Sequence, residues 1–213
     1  TQLRESARIL GATDFIAELG GLTYYDLGNE IVRNYGAFRG RGTPYEAMAR
    51  SGAAAVLLGE FPGHLEPHAP WAFENRECSM LLRGLVDESA ARGILHEAGH
   101  SWLDLRDNGV IPRTFEGMDL PEIHAYHLVP AGVDKASAVR ADLARRSLRG
   151  AEAVAIGDAP SDAALTEEVG AVFIVANGRE NVERSGPWPD GVYATEGANG
   201  DGFAEAVLRV LGS

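Results

Sequence analysis

Two aspartates near the C-terminal end of the chain have the residue type and spacing to bind a metal ion. Asp158 and Asp162 lie four residues apart in AVAIGDAPSDAAL, residues 153–165, where Gly157 follows a short apolar run. Mg²⁺ takes one or two carboxylates, several waters and a substrate phosphate oxygen. Ser161 and Asp162 also suit the first turn of a helix, where they would act only as caps. The aspartates alone leave both interpretations open.

Lys135 favours the metal and phosphate interpretation. It follows Asp134, which opens a predicted helix over DKASAVRADLARRSL. A cation in the first turn opposes the helix dipole, so Lys135 gains from an anionic partner there. A phosphate group or the two aspartates would provide that partner. The alternative is a surface lysine that points away from them.

The last third of the chain must position these residues, and its pattern alternates between strand and helix. It runs from strand EAVAI through the loop GDAPSD to helix AALTEEV, strand AVFIVAN, a polar loop and helix GFAEAVLRVL. Such alternation predicts an α/β fold with a parallel sheet flanked by helices. Ligands of these sheets bind outside the carboxyl ends of the strands, where Asp158 and Asp162 are expected. Farther upstream, the sequence predicts hairpins around residues 26–29 and 107–109.

A different metal motif occurs in LHEAGHSW, residues 95–102, which contains H-E-x-x-H. On a helix this spacing places two histidines on one face, as in zinc peptidases. Gly99, however, is typical of a residue that ends a helix in the left-handed conformation. His100 would then lie beyond the helix and away from the face that carries His96. A zinc peptidase is therefore the less favoured interpretation.

Composition limits the function classes. The chain has 213 residues with 31 acidic and 19 Lys or Arg residues, a net charge of −12 that argues against a nucleic-acid partner. It contains no run of about 18 apolar residues, so we expect no membrane segment. Cys78 is the single cysteine and fits a reducing compartment, which predicts a cytoplasmic protein. No pattern indicates an oligomeric state.

Two segments together resemble a known family. GVDKASAVRADL, followed by AVAIGDAPSDAALTEEVGAVFIVANG, resembles the third and fourth motifs of the haloacid dehalogenase-like (HAD) phosphohydrolases. The similarity is to the sugar-phosphatase branch with a large α/β cap, which includes mannosyl-3-phosphoglycerate phosphatases and sucrose-phosphate phosphatases. FIAELGGLTYYDLGNEIV resembles the strand and hairpin that follow the second motif of this branch. The family's Glu-Asn-Gly is here Glu18-Leu19-Gly20.

The resemblance implies a role for each matching residue. Lys135 would hold the phosphate, Asp158 would bind Mg²⁺ directly, and Asp162 would bind it directly or through water. Gly157, Ser161 and Asn177 would lie near the phosphate. These roles imply a phosphatase that hydrolyses a small phosphorylated metabolite. Its phosphoryl group would pass first to an aspartate of the enzyme, as an aspartyl-phosphate.

The family's nucleophile is missing from the sequence. It is the first aspartate of an Asp-x-Asp pair, and no two aspartates of this chain are separated by one residue. Because the first residues resemble the helix after the second motif, we expect a fragment that lacks about one strand, helix and strand. The alternative is a degenerate relative that binds metal and phosphate without catalysis. We predict a HAD-like core over residues 1–34 and 130–213, with a cap over residues 35–129.

Overall fold

The computed structural model describes residues 2–212. The chain divides into two compact units, one up to Asp134 and the other from Lys135 onward. The division into a discontinuous core and a cap at residues 35–129 stays a prediction. Among the described residues, no helix is both long and apolar enough to cross a membrane.

The first unit begins with a helix and a small antiparallel sheet. Helix α1 (Gln2–Ile9) is followed by strands β1 (Phe15–Ala17), β2 (Leu22–Tyr25) and β3 (Glu30–Arg33), in the order β1-β2-β3. The predicted hairpin at residues 26–29 is confirmed, since Tyr25 pairs with Glu30 across it. Gly28 has a φ of 92°, which glycine adopts without the cost that a side chain incurs.

A larger antiparallel sheet completes the first unit. Its strands are β4 (Leu65–Pro67), β5 (Met80–Gly84), β6 (Leu103–Val110) and β7 (His124–Pro130), in the order β4-β5-β7-β6. Helices α2 (Pro44–Ser51), α3 (Ala53–Glu60) and α4 (Glu88–Glu97) belong to the same unit. Alternate strand residues, including Met80, Leu82, Leu105, Tyr126 and Leu128, form a buried core with Leu57 of α3 and Leu95 of α4. The opposite face of the sheet therefore carries the residues between them.

The predicted hairpin turn at residues 107–109 is wrong. Asp107, Asn108 and Gly109 lie inside β6, which pairs along its length with β7. The register shifts between Asp107 and Val110, and the Gly109 N–H donates to the Asp107 carboxylate at 2.6 Å. This is a β-bulge, in which Gly109 takes a φ of 98°. A bulge and a tight turn use the same residue types, so the local sequence did not distinguish them.

The second unit has the parallel sheet that the sequence predicts. It contains α5 (Lys135–Arg146), β8 (Val154–Gly157), α6 (Pro160–Ala163), β9 (Ala171–Ile174), α7 (Arg179–Ser185), β10 (Val192–Ala194) and α8 (Asn199–Leu211). The strands are parallel in the order β10-β9-β8. The predicted α/β fold class is therefore confirmed. The stretch between β9 and α8, expected to be a polar loop, also holds α7 and β10.

Candidate functional site

The carboxyl ends of the parallel strands bring the predicted residues to one edge of the sheet. Strand β8 ends at Gly157 and its neighbour β9 ends at Ile174, paired with each other in register. Asp158 follows the first strand directly, and Asn177 follows the second after two residues. The Asn177 Nδ2 lies 3.4 Å from the Asp158 Oδ2. The sheet topology thus places these two side chains side by side.

Lys135 reaches the same loop from the start of α5. Its Nζ donates to the Asp162 Oδ1 at 2.8 Å and to the Ser161 Oγ at 3.1 Å. The Lys135 side chain is 29% exposed and the Asp162 side chain 16% exposed, so the ion pair is largely shielded from water. The lysine in the first turn of the helix therefore has the anionic partner that its position required.

The two aspartates have different surroundings. The second oxygen of Asp162, Oδ2, accepts the backbone N–H groups of Asp158 and Ala159, each at 3.2 Å. Both oxygens of Asp162 are thus engaged within the protein, and this residue caps the first turn of α6 as well as holding Lys135. Asp158 is exposed. Of the two, Asp158 has the carboxylate better placed to bind a ligand from solution.

Two glycines allow this packing. A Cβ atom at Gly157 would lie 2.4 Å from the Asp162 Oδ2. A Cβ atom at Gly178 would lie 2.4 Å from both the Cα atom and the carbonyl oxygen of Asp158. Gly157 was predicted from the sequence, whereas Gly178 was not, because its close approach to Asp158 depends on the pairing of β8 with β9. The only sign of Gly178 in the sequence was that a glycine follows Asn177 directly.

A backbone contact fixes the orientation of Asn177. The N–H of Asn199, at the start of α8, donates to the Asn177 Oδ1 at 2.8 Å. The amide oxygen is therefore engaged, and the Nδ2 group is the part of the side chain that faces Asp158. Sequence reasoning missed Asn199, since a contact made through its backbone N–H leaves no signature in residue type.

The donor set fits Mg²⁺ better than a softer metal. It consists of the exposed Asp158 carboxylate, the Ser161 hydroxyl and the partly engaged Asp162 carboxylate, which are all oxygen ligands. In residues 2–212 no group of three or more His, Cys, Asp or Glu side chains is arranged to hold a metal ion. The residues present therefore fit a cation that takes oxygen ligands and keeps several waters, with the exposed Asp158 carboxylate among the donors.

The H-E-x-x-H segment does not form a zinc-peptidase site. Helix α4 ends at Glu97, and Gly99 has a φ of 82°. The N–H of His100 donates back to the Leu95 carbonyl at 2.7 Å, which closes the helix end. His96 lies in the last turn and His100 beyond it, so they do not share a helical face.

Comparison with known proteins agrees with this fold. Residues 121–206 match the family model described as haloacid dehalogenase-like hydrolase. A phosphoglycolate phosphatase of Natronomonas pharaonis is 36% identical over 94 residues, which are 44% of this chain and 39% of that protein. The chain thus spans about two fifths of the length of this curated relative.

Solved structures resemble a larger part of the chain. The sucrose-phosphatase of Synechocystis sp. PCC6803, in complex with sucrose and phosphate, gives a TM-score of 0.63 at 12% identity, covering 98% of this chain and 79% of that one. A haloacid dehalogenase-like hydrolase of Bacteroides thetaiotaomicron gives 0.58 at 16% identity, covering 98% and 81%. Residues 121–206 are therefore similar to the haloacid dehalogenase-like hydrolases in sequence, and nearly the whole chain shares the fold of these two solved structures.

Proposed function

We propose that the whole protein is a Mg²⁺-dependent phosphatase that hydrolyses a small phosphorylated metabolite. The observation that carries this proposal is the cluster at the edge of the parallel sheet. There the Lys135 Nζ lies 2.8 Å from Asp162, and the exposed Asp158 stands on the same loop. A cation, an exposed carboxylate and oxygen donors at this edge are what binding a phosphate and a divalent metal requires.

Each residue of the chain would have a separate task. Lys135, held by Ser161 and Asp162, would neutralise charge on the phosphate. Asp158 would be the direct ligand of Mg²⁺, which when bound supplies positive charge against the phosphate oxygens. Asp162 would keep the loop in shape by accepting two backbone N–H groups. Positioning and charge neutralisation of this kind account for most of the catalysis of phosphoryl transfer.

The attacking group would come from outside these 213 residues. In the family that the chain resembles, an aspartate of an Asp-x-Asp pair attacks the phosphorus in line, and the ester oxygen leaves with a proton. Water then hydrolyses the aspartyl-phosphate to release phosphate. We therefore expect the 213-residue chain alone to be inactive. Residues 35–129 would form a cap that excludes water during the reaction.

The names of similar proteins support the substrate class. One relative is a phosphoglycolate phosphatase, and one solved structure is a sucrose-phosphatase with sucrose and phosphate bound. Both names describe small organic molecules that carry a phosphate. We propose a substrate of that class, of the sugar-phosphate or mannosyl-3-phosphoglycerate type.

Turnover of p-nitrophenyl phosphate by the full-length gene product tests the function. Asp158→Asn keeps the size of the side chain but removes its charge, and we expect it to lower kcat by at least about a hundredfold, as for other groups that stabilise transition-state charge. Asp190→Asn is the matched control, because Asp190 is exposed and lies outside the site. Turnover by Asp158→Asn equal to that of the control would contradict the assignment.

A second candidate is a protein that binds metal and phosphate without catalysis. The observation that favours it is the absence of an Asp-x-Asp pair from the 213 residues. The two candidates differ in the coding sequence upstream of Thr1. An apolar strand that ends in Asp-x-Asp favours the phosphatase, and an open reading frame without one favours the binding protein.

A further inference from the structure

A basic cluster lies in the first unit, far in sequence from Lys135 and the aspartate loop. Arg83 of β5 pairs in register with Glu66 of β4. Arg83 alternates with the core residue Leu82, so it lies on the face of the larger sheet opposite the helices. His68 follows β4 two residues after Glu66, and its N–H donates to the Leu81 carbonyl at 3.1 Å. His68, Glu66 and Arg83 therefore share one face.

Phe115, from the segment between β6 and β7, is the centre of this cluster. The Arg83 guanidinium carbon lies 3.8 Å from the centroid of the Phe115 ring, and that of Arg113 lies 5.6 Å from it. The His68 ring meets Phe115 edge to face, with 6.0 Å between centroids. We call this group, formed by His68, Arg83, Arg113 and Phe115, the Phe115 site.

Positive charge at the Phe115 site exceeds the negative charge that balances it. Glu66 is paired with Arg83 at 2.5 Å. Arg113 forms no ion pair or side-chain hydrogen bond within the described part of the chain. Nearby Arg76 donates only to neutral acceptors, the Trp71 carbonyl at 2.8 Å and the Ser79 hydroxyl at 3.4 Å. In a chain with a net charge of −12, a shortage of acidic residues does not explain why Arg113 has no carboxylate partner.

His68 has a polar atom that the protein leaves unsatisfied. Its Nδ1 is buried and has no hydrogen-bond partner in the structure. Burial lowers the pKa of His68 below its ordinary value, and the charges of Arg83, Arg113 and Arg76 lower it further, against a smaller effect of Glu66. The Nδ1 atom of a neutral imidazole donates a hydrogen bond in the tautomer that carries the proton on Nδ1. A buried group of this kind costs free energy unless a ligand pairs with it.

We propose that the Phe115 site binds the carboxylate of a small organic anion. The Arg113 guanidinium would bind the carboxylate oxygens, the His68 Nδ1 would donate to one of them, and the Phe115 ring would contact the carbon adjacent to the carboxylate. A planar guanidinium fits a carboxylate with two parallel hydrogen bonds, which a lysine cannot provide. The carboxylate belongs either to the substrate of the proposed phosphatase or to a separate metabolite.

Titration of the 213-residue chain with malonate tests the binding site directly. The Cε1 proton of His68, assigned by comparison with His68→Asn, is followed by NMR at constant ionic strength. We expect a saturable shift, and we expect Arg113→Gln to weaken malonate binding by about tenfold, the cost of about one charge-assisted hydrogen bond. Arg50→Gln is the matched control, because it removes the same charge from an exposed position on α2.

Two results would overturn the proposal. One is a malonate affinity that is the same in Arg113→Gln and in the control. The other is a His68 shift that sodium chloride reproduces. Arg76→Gln serves as a second variant, and circular dichroism confirms that each variant is folded before its affinity is used.

A kinetic experiment on the full-length gene product distinguishes the two sources of the carboxylate, and this arm depends on the proposed function. If the substrate carries it, Arg113→Gln raises KM for phosphoglycolate and leaves KM for ethyl phosphate unchanged. If a separate metabolite carries it, malonate alters the turnover of ethyl phosphate by the wild type but not by Arg113→Gln. Absence of turnover with every phosphomonoester counts against the phosphatase, while the malonate titration still decides the binding site.

Discussion

The ion pair between Lys135 and Asp162 should couple the start of α5 to the loop after β8 in a measurable way. The perturbation is a double-mutant cycle that combines Asp162→Asn with Lys135→Met. The substituted asparagine has one side-chain oxygen where Asp162 has two. It must therefore deprive either the Lys135 ammonium of its acceptor at this residue, which leaves only the Ser161 hydroxyl, or the N–H groups of Asp158 and Ala159 of theirs.

The magnitude follows from the contacts and the burial. The Lys135–Asp162 distance is 2.8 Å, with side chains that are 29% and 16% exposed, so solvent screens the pair only in part. A hydrogen bond between charged groups contributes about 1.5–3 kcal/mol. We expect Asp162→Asn to lower the free energy of unfolding of the second unit by about 2–3 kcal/mol. We expect the coupling free energy between the two residues to be about 1–2 kcal/mol.

Tryptophan fluorescence during urea unfolding can isolate the second unit. Trp188 packs against the core of that unit, whereas Trp71 and Trp102 belong to the first unit. In a background of Trp71→Phe and Trp102→Phe, the emission reports on Trp188 alone. A coupling free energy below about 0.5 kcal/mol, the lower limit for residues in contact, would refute the view that this pair organises the loop.

Three further predictions concern other contacts. Gly178→Ala should destabilise the second unit by about 1–3 kcal/mol in the same urea titration, because the new Cβ would lie 2.4 Å from the backbone of Asp158. Gly200→Ala is the control and should not destabilise this unit, because open space surrounds Gly200. Glu18→Gln should lower the melting temperature of the first unit by calorimetry, because the Glu18 carboxylate accepts three consecutive backbone N–H groups at residues 77–79. Burial raises the pKa of the Cys78 thiol to about 12, so at pH 8 the native chain should not react with dithionitrobenzoate, and the urea-unfolded chain should react at once.

The second unit was the more predictable part of the fold. Each of its main strands is a short apolar run bounded by glycine or aspartate, and each alternates with a helical pattern. This periodicity is local, so the order of strand and helix and the parallel sheet followed from it. Strand β10 has only three residues, Val192–Ala194, and its role depends on pairing with β9. The conformation of so short a strand depends on its pairing with β9 and cannot be read from its own residue pattern.

The candidate site was predictable in residue type but not in geometry. The spacing of Asp158 and Asp162 and the position of Lys135 indicated which residues would meet. Nothing in the sequence shows that Asp162 uses one oxygen for Lys135 and the other for two backbone N–H groups. The Phe115 site was also missed. Its members come from three separate segments, and only the antiparallel pairing of β4 with β5 brings His68 near Arg83.

If the edge of the parallel sheet binds phosphate as we propose, its charge balance would make that binding depend on a cation. Lys135 contributes one positive charge, and Asp158 and Asp162 contribute two negative charges, in a chain whose net charge is −12. Without a metal this cluster would repel a phosphate dianion, even though Lys135 is in place. Under our proposal, a divalent cation at Asp158 would reverse the local sign while Asp162 continued to hold the lysine. The proposed division of tasks between the two aspartates would therefore let one loop keep its shape in both states and accept phosphate only in one.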